Sequence, residues 1–284
     1  MHTQLIAIAL VLAVTSRTRA NADAETVHFP SEDGKTKLVG YLFSPSGGGR
    51  HAAVVLLHGR AGPYSSLARG KYNASTLSKR HKEWGAFWAE RGYVALLVDS
   101  FLPRGFPEGF GRGSYSERPA EVSEQAVRPL DAYGGLRYLR SRKDVDPARI
   151  GVQGWSNGGM TVLVTMSESA PGIQNPSRET GFRAALALYP GCRMDAVKGA
   201  YRPYAPLTML IAGSDEEVSP EACEKFAKKA RDGGADLHYH VYPGADHNFD
   251  DPGKKKQSVA ANAQATEDAK RRAEKFFGEQ LAAK

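Results

Sequence analysis

The tightest constraint on this chain is a turn at residues 154–158. Arg149-Ile150-Gly151-Val152-Gln153 is a short β-branched run, Gly154-Trp155-Ser156-Asn157-Gly158 follows it, and Gly159–Met166 reads as a helix. A strand that passes this abruptly into a helix belongs in a parallel sheet with helices stacked on its faces. The pattern G-x-S-x-G holds its serine on a strained bend, hydroxyl projecting above the sheet. The flanking glycines are required because a Cβ there would clash with the neighbouring strand and helix. Ser156 is therefore a candidate nucleophile. The plainer alternative is a Gly-rich turn in which Ser156 only caps the helix.

A nucleophilic serine needs a base and an acid, which on such a sheet follow it in the order acid, then histidine. Leu207–Gly213 is an apolar strand, and Ser214-Asp215-Glu216-Glu217 comes after it. Leu237–Tyr242 alternates like a strand, and Pro243-Gly244-Ala245-Asp246-His247-Asn248-Phe249 is its exit loop. His247 can swing from that loop over the sheet to Ser156, whereas His238 and His240 sit on the strand itself. The acid must accept from the far imidazole nitrogen. Asp215 and Glu216 both occupy the right turn, with the spacing to Pro220 favouring Asp215.

Ala52–Leu57 is a continuous apolar run of the kind buried on both faces of a parallel sheet. It ends in His58-Gly59-Arg60-Ala61-Gly62, whose small residues let backbone approach a substrate oxygen. The amides of Arg60 and Asn157 are the expected oxyanion donors. His58 is read as a residue that shapes this loop through backbone hydrogen bonds. Arg104 lies on the ligand side in a Gly/Pro-rich loop, where a guanidinium can pair with a substrate carboxylate; the alternative is a salt bridge to Asp99 or Glu108. Trp155, beside the nucleophile, is the second residue expected to bind substrate.

Leu57-His58-Gly59, Gly92-Tyr93-Val94 through Asp99-Ser100-Phe101, Pro103-Arg104-Gly105, Gly154–Gly159, Tyr189-Pro190-Gly191-Cys192 and Tyr242-Pro243-Gly244-Ala245 with His247 and Phe249 occur in an order and spacing that resemble the dienelactone hydrolase family. The resemblance covers most of the chain after the first thirty or so residues. It implies an α/β-hydrolase fold, a mostly parallel eight-stranded sheet with helices on both faces. It also implies a nucleophile, acid and base, carried here onto Ser156, Asp215 and His247. Enzymes that hydrolyse dienelactone itself carry cysteine in the elbow. Ser156 stands there in this chain, which keeps acyl-ester hydrolysis as the expectation and leaves the lactone open.

Leu5–Val14 is an apolar run too short to span a bilayer, followed by Ala20-Asn21-Ala22 and Ala22-Asp23-Ala24, which suit a signal peptidase. A secretory signal over 1–24 and a single domain over 25–284 are expected, hence a secreted or periplasmic protein without stable membrane insertion once the signal is removed; an uncleaved anchor is the alternative. The net charge of +7 is spread over short basic clusters without interleaved aromatics, which excludes a stacking nucleic-acid site. Cys192 and Cys223 are an even pair in an oxidising compartment, near one edge of neighbouring strands, and are expected to form a disulfide. No Cys/His spacing resembles a metal site and no Gly-rich phosphate cradle is present, so neither metal nor cofactor is expected.

Gly62–Lys82 and Phe101–Val122 break the strand–helix alternation. Both leave strand ends on the ligand side and are assigned to the pocket rim. The leading function is a serine hydrolase of small-molecule carboxylic esters or lactones, working through an acyl-enzyme. The alternatives are a non-catalytic ligand-binding protein of the same fold, an acyltransferase or a peptidase.

Overall fold

The computed structural model describes residues 24–195, 197 and 199–283. Apart from Ala24, the expected signal segment lies outside them. The strands are β1 (Glu25–Pro30), β2 (Lys37–Phe43), β3 (His51–Leu57), β4 (Val94–Asp99), β5 (Val145–Trp155), β6 (Ala185–Leu188), β7 (Leu207–Ala212) and β8 (Leu237–Tyr242). The helices are α1 (Lys79–Glu90), α2 (Arg128–Ser141), α3 (Asn157–Thr165), α4 (Pro220–Asp232), α5 (Lys254–Gln257) and α6 (Ala260–Gln280). The eight strands form one sheet in the order β1-β2-β4-β3-β5-β6-β7-β8. β2 pairs antiparallel with β1 and β4, and every other pairing is parallel.

Two apolar layers explain why the central strands are apolar without alternation. On one face α2, α3 and α4 press Leu136, Leu139, Val162, Leu163 and Ala227 against Val55, Val98 and Val152. On the other, α1 and α6 press Trp84, Trp88, Ala265, Ala269, Ala273 and Phe277 against Val54, Leu56, Leu97 and Leu186. With both faces covered, either parity of side chain is removed from water, so Ala52–Leu57 is buried throughout. The four α6 residues recur every fourth position, which keeps them on one side of the helix.

Parallel pairing of β3 to β8 sends the loops after β3, β4, β5, β6, β7 and β8 out at one edge, the carboxyl end of the parallel strands. Of the two long segments assigned to the rim, only one contributes. Arg112, Gly113, Tyr115 and Arg118 line the cleft at that edge. None of residues 62–82 is among that lining. A bridge joins Tyr64 to Leu77, a short 3₁₀ turn spans Ala74–Thr76, and the buried Tyr64 hydroxyl donates to Asp99 Oδ2 at 2.7 Å.

Arg104 is not among the residues that line this cleft; it forms a salt bridge, the alternative to pairing with substrate, but with neither Asp99 nor Glu108. Its guanidinium donates to both Asp131 oxygens at 2.8 Å, to Asp33 Oδ2 at 2.9 Å and to the Ser100 carbonyl at 2.8 Å. Its side chain is 7% exposed and Asp131 is fully buried, so this ion pair pins the β1–β2 turn to α2. Arg104 ends a 3₁₀ turn at Leu102–Arg104, and its partners on the β1–β2 turn and α2 are distant in sequence, so sequence position alone does not reveal them. Arg104→Met leaves the Asp131 charge buried without its main partner and is expected to cost about 3–5 kcal/mol in urea unfolding. A loss below about 1 kcal/mol would return Arg104 to the substrate side.

His58 and His81 are both buried, and burial disfavours the protonated form of each. Burial first, and then the neighbouring Arg80, lowers the His81 pKa to about 3. Burial and Arg128 likewise hold His58 well below the usual histidine range. Below the unfolded value near 6.5 the unfolded chain binds protons that the fold refuses, so stability falls as pH falls. His81→Asn should flatten the slope of unfolding free energy against pH by about 1.4 kcal/mol per unit between pH 6 and 4. Equal slopes in the two proteins would mean that His81 is protonated in the fold.

Candidate active site

Ser156 stands between β5 and α3 at φ 54°, ψ −116°, a conformation that is costly for a residue with a side chain. Its N–H donates to the Leu188 carbonyl at 2.9 Å, and its carbonyl accepts the Met160 N–H at 2.9 Å, so strand and helix both hold the bend. The glycines are dictated by backbone approach. A Cβ on Gly158 would lie 2.0 Å from the Leu57 carbonyl oxygen, and one on Gly154 would lie 2.3 Å from that of Gly158.

His247 leaves the loop after β8 and reaches this bend. Its Nε2 is 2.9 Å from Ser156 Oγ and its Nδ1 is 2.7 Å from Asp215 Oδ2. Asp215 is held in the turn after β7 by the amides of Glu217 and Val218, which donate to its other oxygen at 2.8 and 2.9 Å. Glu216 does not touch the imidazole; its carboxylate accepts the backbone N–H of His247 at 2.9 Å and so positions the loop. Asp215 Oδ2 accepts from Nδ1–H, which leaves Nε2 unprotonated toward the serine hydroxyl, the tautomer that proton abstraction needs.

The amide of Arg60 lies in the loop after β3, and that of Asn157 opens α3. The first N–H groups of a helix have no partner within it, and its dipole favours negative charge there. His58 shapes the first of these loops: its ring Nδ1 is 2.7 Å from the Gly59 carbonyl, while its Nε2 accepts the Ser100 N–H at 3.3 Å. Gly59 C=O and Arg60 N–H belong to one trans peptide and point opposite ways, so fixing the carbonyl fixes the amide.

The cleft above Ser156 encloses about 600 Å³, the size range of small-molecule sites. Arg60, Arg112, Tyr115, Met160, Arg193 and Glu217 are among its lining residues. Cys192 lines it as well and is joined to Cys223 by a disulfide, so the loop after β6 is tied to the first turn of α4. Trp155 is not part of this lining. It is fully buried, and its Nε1 donates to Asp250 Oδ2 at 2.9 Å. As the residue before the bend, it points into the layer under α1 while Ser156 points up.

Asp250 escaped the sequence reading, and so did Glu217 as a member of the site. Asp250 Oδ2 accepts from Trp84 Nε1 at 2.8 Å as well as from Trp155, and its Oδ1 accepts from the Tyr189 hydroxyl at 2.5 Å. The Tyr189 ring packs edge-on against His247 with centroids 4.9 Å apart. One buried carboxylate thus joins Trp155, the residue before Ser156, to the ring that packs against His247. Its donors come from three separate segments, and the only local signal was an acid shortly after His247-Asn248-Phe249. Glu217 accepts from Arg60 Nε at 3.0 Å and Nη2 at 2.8 Å, and its Oε2 is 3.8 Å from His247 Nε2.

The model of the dienelactone hydrolase family matches residues 38–281. Human dipeptidyl peptidase 8 is 28% identical over 170 residues, which are 58% of this chain and 16% of that protein; the chain thus spans about a sixth of that relative's length. The structure of esterase 2 from Thermogutta terrifontis phosphorylated by paraoxon superposes with a TM-score of 0.62 at 19% identity, covering 92% of this chain and 96% of that one. A dienelactone hydrolase-like promiscuous phosphotriesterase from metagenomic libraries does so with a TM-score of 0.61 at 17% identity, covering 91% and 98%. At these identities the superpositions establish the fold.

Proposed function

The chain belongs to the dienelactone hydrolase family of α/β-hydrolases, and from that premise we propose that it is a serine hydrolase of small carboxylic esters or lactones. The observation that carries the reading is the chain of contacts from Ser156 Oγ to His247 Nε2 at 2.9 Å and from Nδ1 to Asp215 at 2.7 Å. Ser156 attacks the acyl carbon as Nε2 takes its proton, and Asp215 stabilises the imidazolium. The Arg60 and Asn157 amides hold the oxyanion. Collapse of the tetrahedral adduct expels the alcohol with the proton from Nε2. Water then repeats the sequence on the acyl-enzyme, with His247 again the base.

The likeness to an esterase that paraoxon phosphorylates supports a serine open to electrophiles. The disulfide supports an oxidising compartment and thus a secreted or periplasmic protein; a signal over 1–24 and a single domain over 25–284 belong to the same proposal. Among the described residues no helix is long and apolar enough to cross a membrane.

Ser156→Ala is expected to lower kcat on short-chain aryl esters by about 10³-fold or more, and to abolish labelling by a fluorophosphonate, while the melting temperature stays close to wild type. Turnover near the wild-type rate would show that the elbow has been misassigned. Asp215→Asn removes the acceptor that sets the tautomer and should cost up to about 10⁴-fold in kcat. Glu216→Gln keeps an acceptor for the His247 amide and should cost far less; the reverse ranking would move the acid to Glu216.

A further inference from the structure

Glu217 has no part in the relay just described, yet its carboxylate is the charged group that faces the reacting edge of His247. Its Oε2 is 3.8 Å from Nε2, and Nε2 is 2.9 Å from Ser156 Oγ. A direct hydrogen bond is ruled out at 3.8 Å, but the separation lets one water oxygen, standing to the side of the line that joins the two atoms, lie at about 2.8 Å from each. Ser156 and Glu217 both line the cleft, so a water held by Glu217 comes from the side on which substrate is bound. The Arg60 guanidinium grips both carboxylate oxygens, so Oε2 cannot swing away.

We propose that Glu217 holds the hydrolytic water against His247 and thereby selects water over alcohols as the acyl acceptor. This rests on the serine-hydrolase reading. Water brings two O–H groups. One proton passes to Nε2 as the oxygen attacks the acyl carbon, and the other remains on that oxygen, donated to Oε2. The tetrahedral adduct then expels Ser156 Oγ, which takes the proton back from Nε2, and the second hydrogen leaves on the carboxylic acid product. Glu217 is neither protonated nor consumed. An alcohol has one O–H, which Nε2 takes; nothing remains for Oε2, and the alkyl group must lie against a carboxylate. Burial opposes ionisation of Glu217, but Arg60 prevails and holds its carboxyl below the usual range, so it stays an acceptor at neutral pH.

The experiment is a partitioning measurement with p-nitrophenyl acetate and methanol as competing acceptor. Methyl acetate and acetate are quantified for wild type, Glu217→Gln and Glu217→Asp, the second keeping the charge but withdrawing it by one methylene. Acylation is followed separately by the rate of fluorophosphonate labelling, which also reports whether the oxyanion loop that Arg60 belongs to is intact. Loss of a charged hydrogen bond should raise the methyl acetate to acetate ratio by about tenfold in Glu217→Gln, with the same direction in Glu217→Asp, while labelling slows by less than about threefold. An unchanged ratio in both variants, with labelling and turnover reduced in equal proportion, would overturn the proposal and leave Glu217 as a clamp on Arg60. Absence of labelling in wild type would overturn it together with the serine-hydrolase reading, and so separates the two failures.

Discussion

The rest of the site depends on how closely the first turn of α3 rides on the end of β3. A side chain at Gly158 would meet the Leu57 and His58 carbonyls at 2.0 and 2.6 Å, so backbone touches backbone there. That approach does two things at once. It forces the chain at Ser156 into its strained conformation, and it fixes the loop that follows β3 at a set distance from the amide that opens α3. The same His58 carbonyl accepts from the buried Arg128 guanidinium at 2.6 Å, which braces the junction from behind. The amides of Arg60 and Asn157, the proposed oxyanion donors, depend on two segments registered this tightly, and the register is set by absent side chains.

Much of this was legible because topology does the positioning. Strand–helix alternation puts every exit loop on one edge, so a serine after β5, an acid after β7 and a histidine after β8 are brought together without knowledge of a single contact. The disulfide was legible for the same reason, its cysteines falling on neighbouring exit segments. The order of Asp215 and Glu216 was less so. Both meet His247, one at the ring and the other at the backbone, and only the turn geometry separates them.

Two residues expected to bind substrate lie outside the cleft lining for one reason. Arg104, whose alternative was a salt bridge, and Trp155 sit near the ligand edge, but position along the chain does not fix the direction of a side chain. A 3₁₀ turn sends Arg104 to Asp131, and strand alternation sends Trp155 beneath the bend. Asp250 and Glu217 are the converse. Their roles come from partners far away in sequence, and the acid runs that contain them look like solvated turns. Buried polar groups must be paired, and the identity of the pair is a tertiary fact.

The indole cluster has a consequence for how this protein can be watched. The chain holds three tryptophans, Trp84, Trp88 and Trp155, all buried in the layer under α1 and α6, with Trp84 within 6.3 Å of each of the others between ring centroids. Tryptophan fluorescence, excited apart from the twelve tyrosines, therefore reports one face of the sheet only, and two of its three emitters donate to the Asp250 carboxylate. Opening of the α2–α3–α4 layer would pass without direct change in emission, while small adjustments beneath Ser156 would be seen at once. Emission and far-ultraviolet dichroism would then diverge whenever the two faces come apart separately, which makes the comparison a built-in gauge of how cooperatively the sheet holds its two coats of helices.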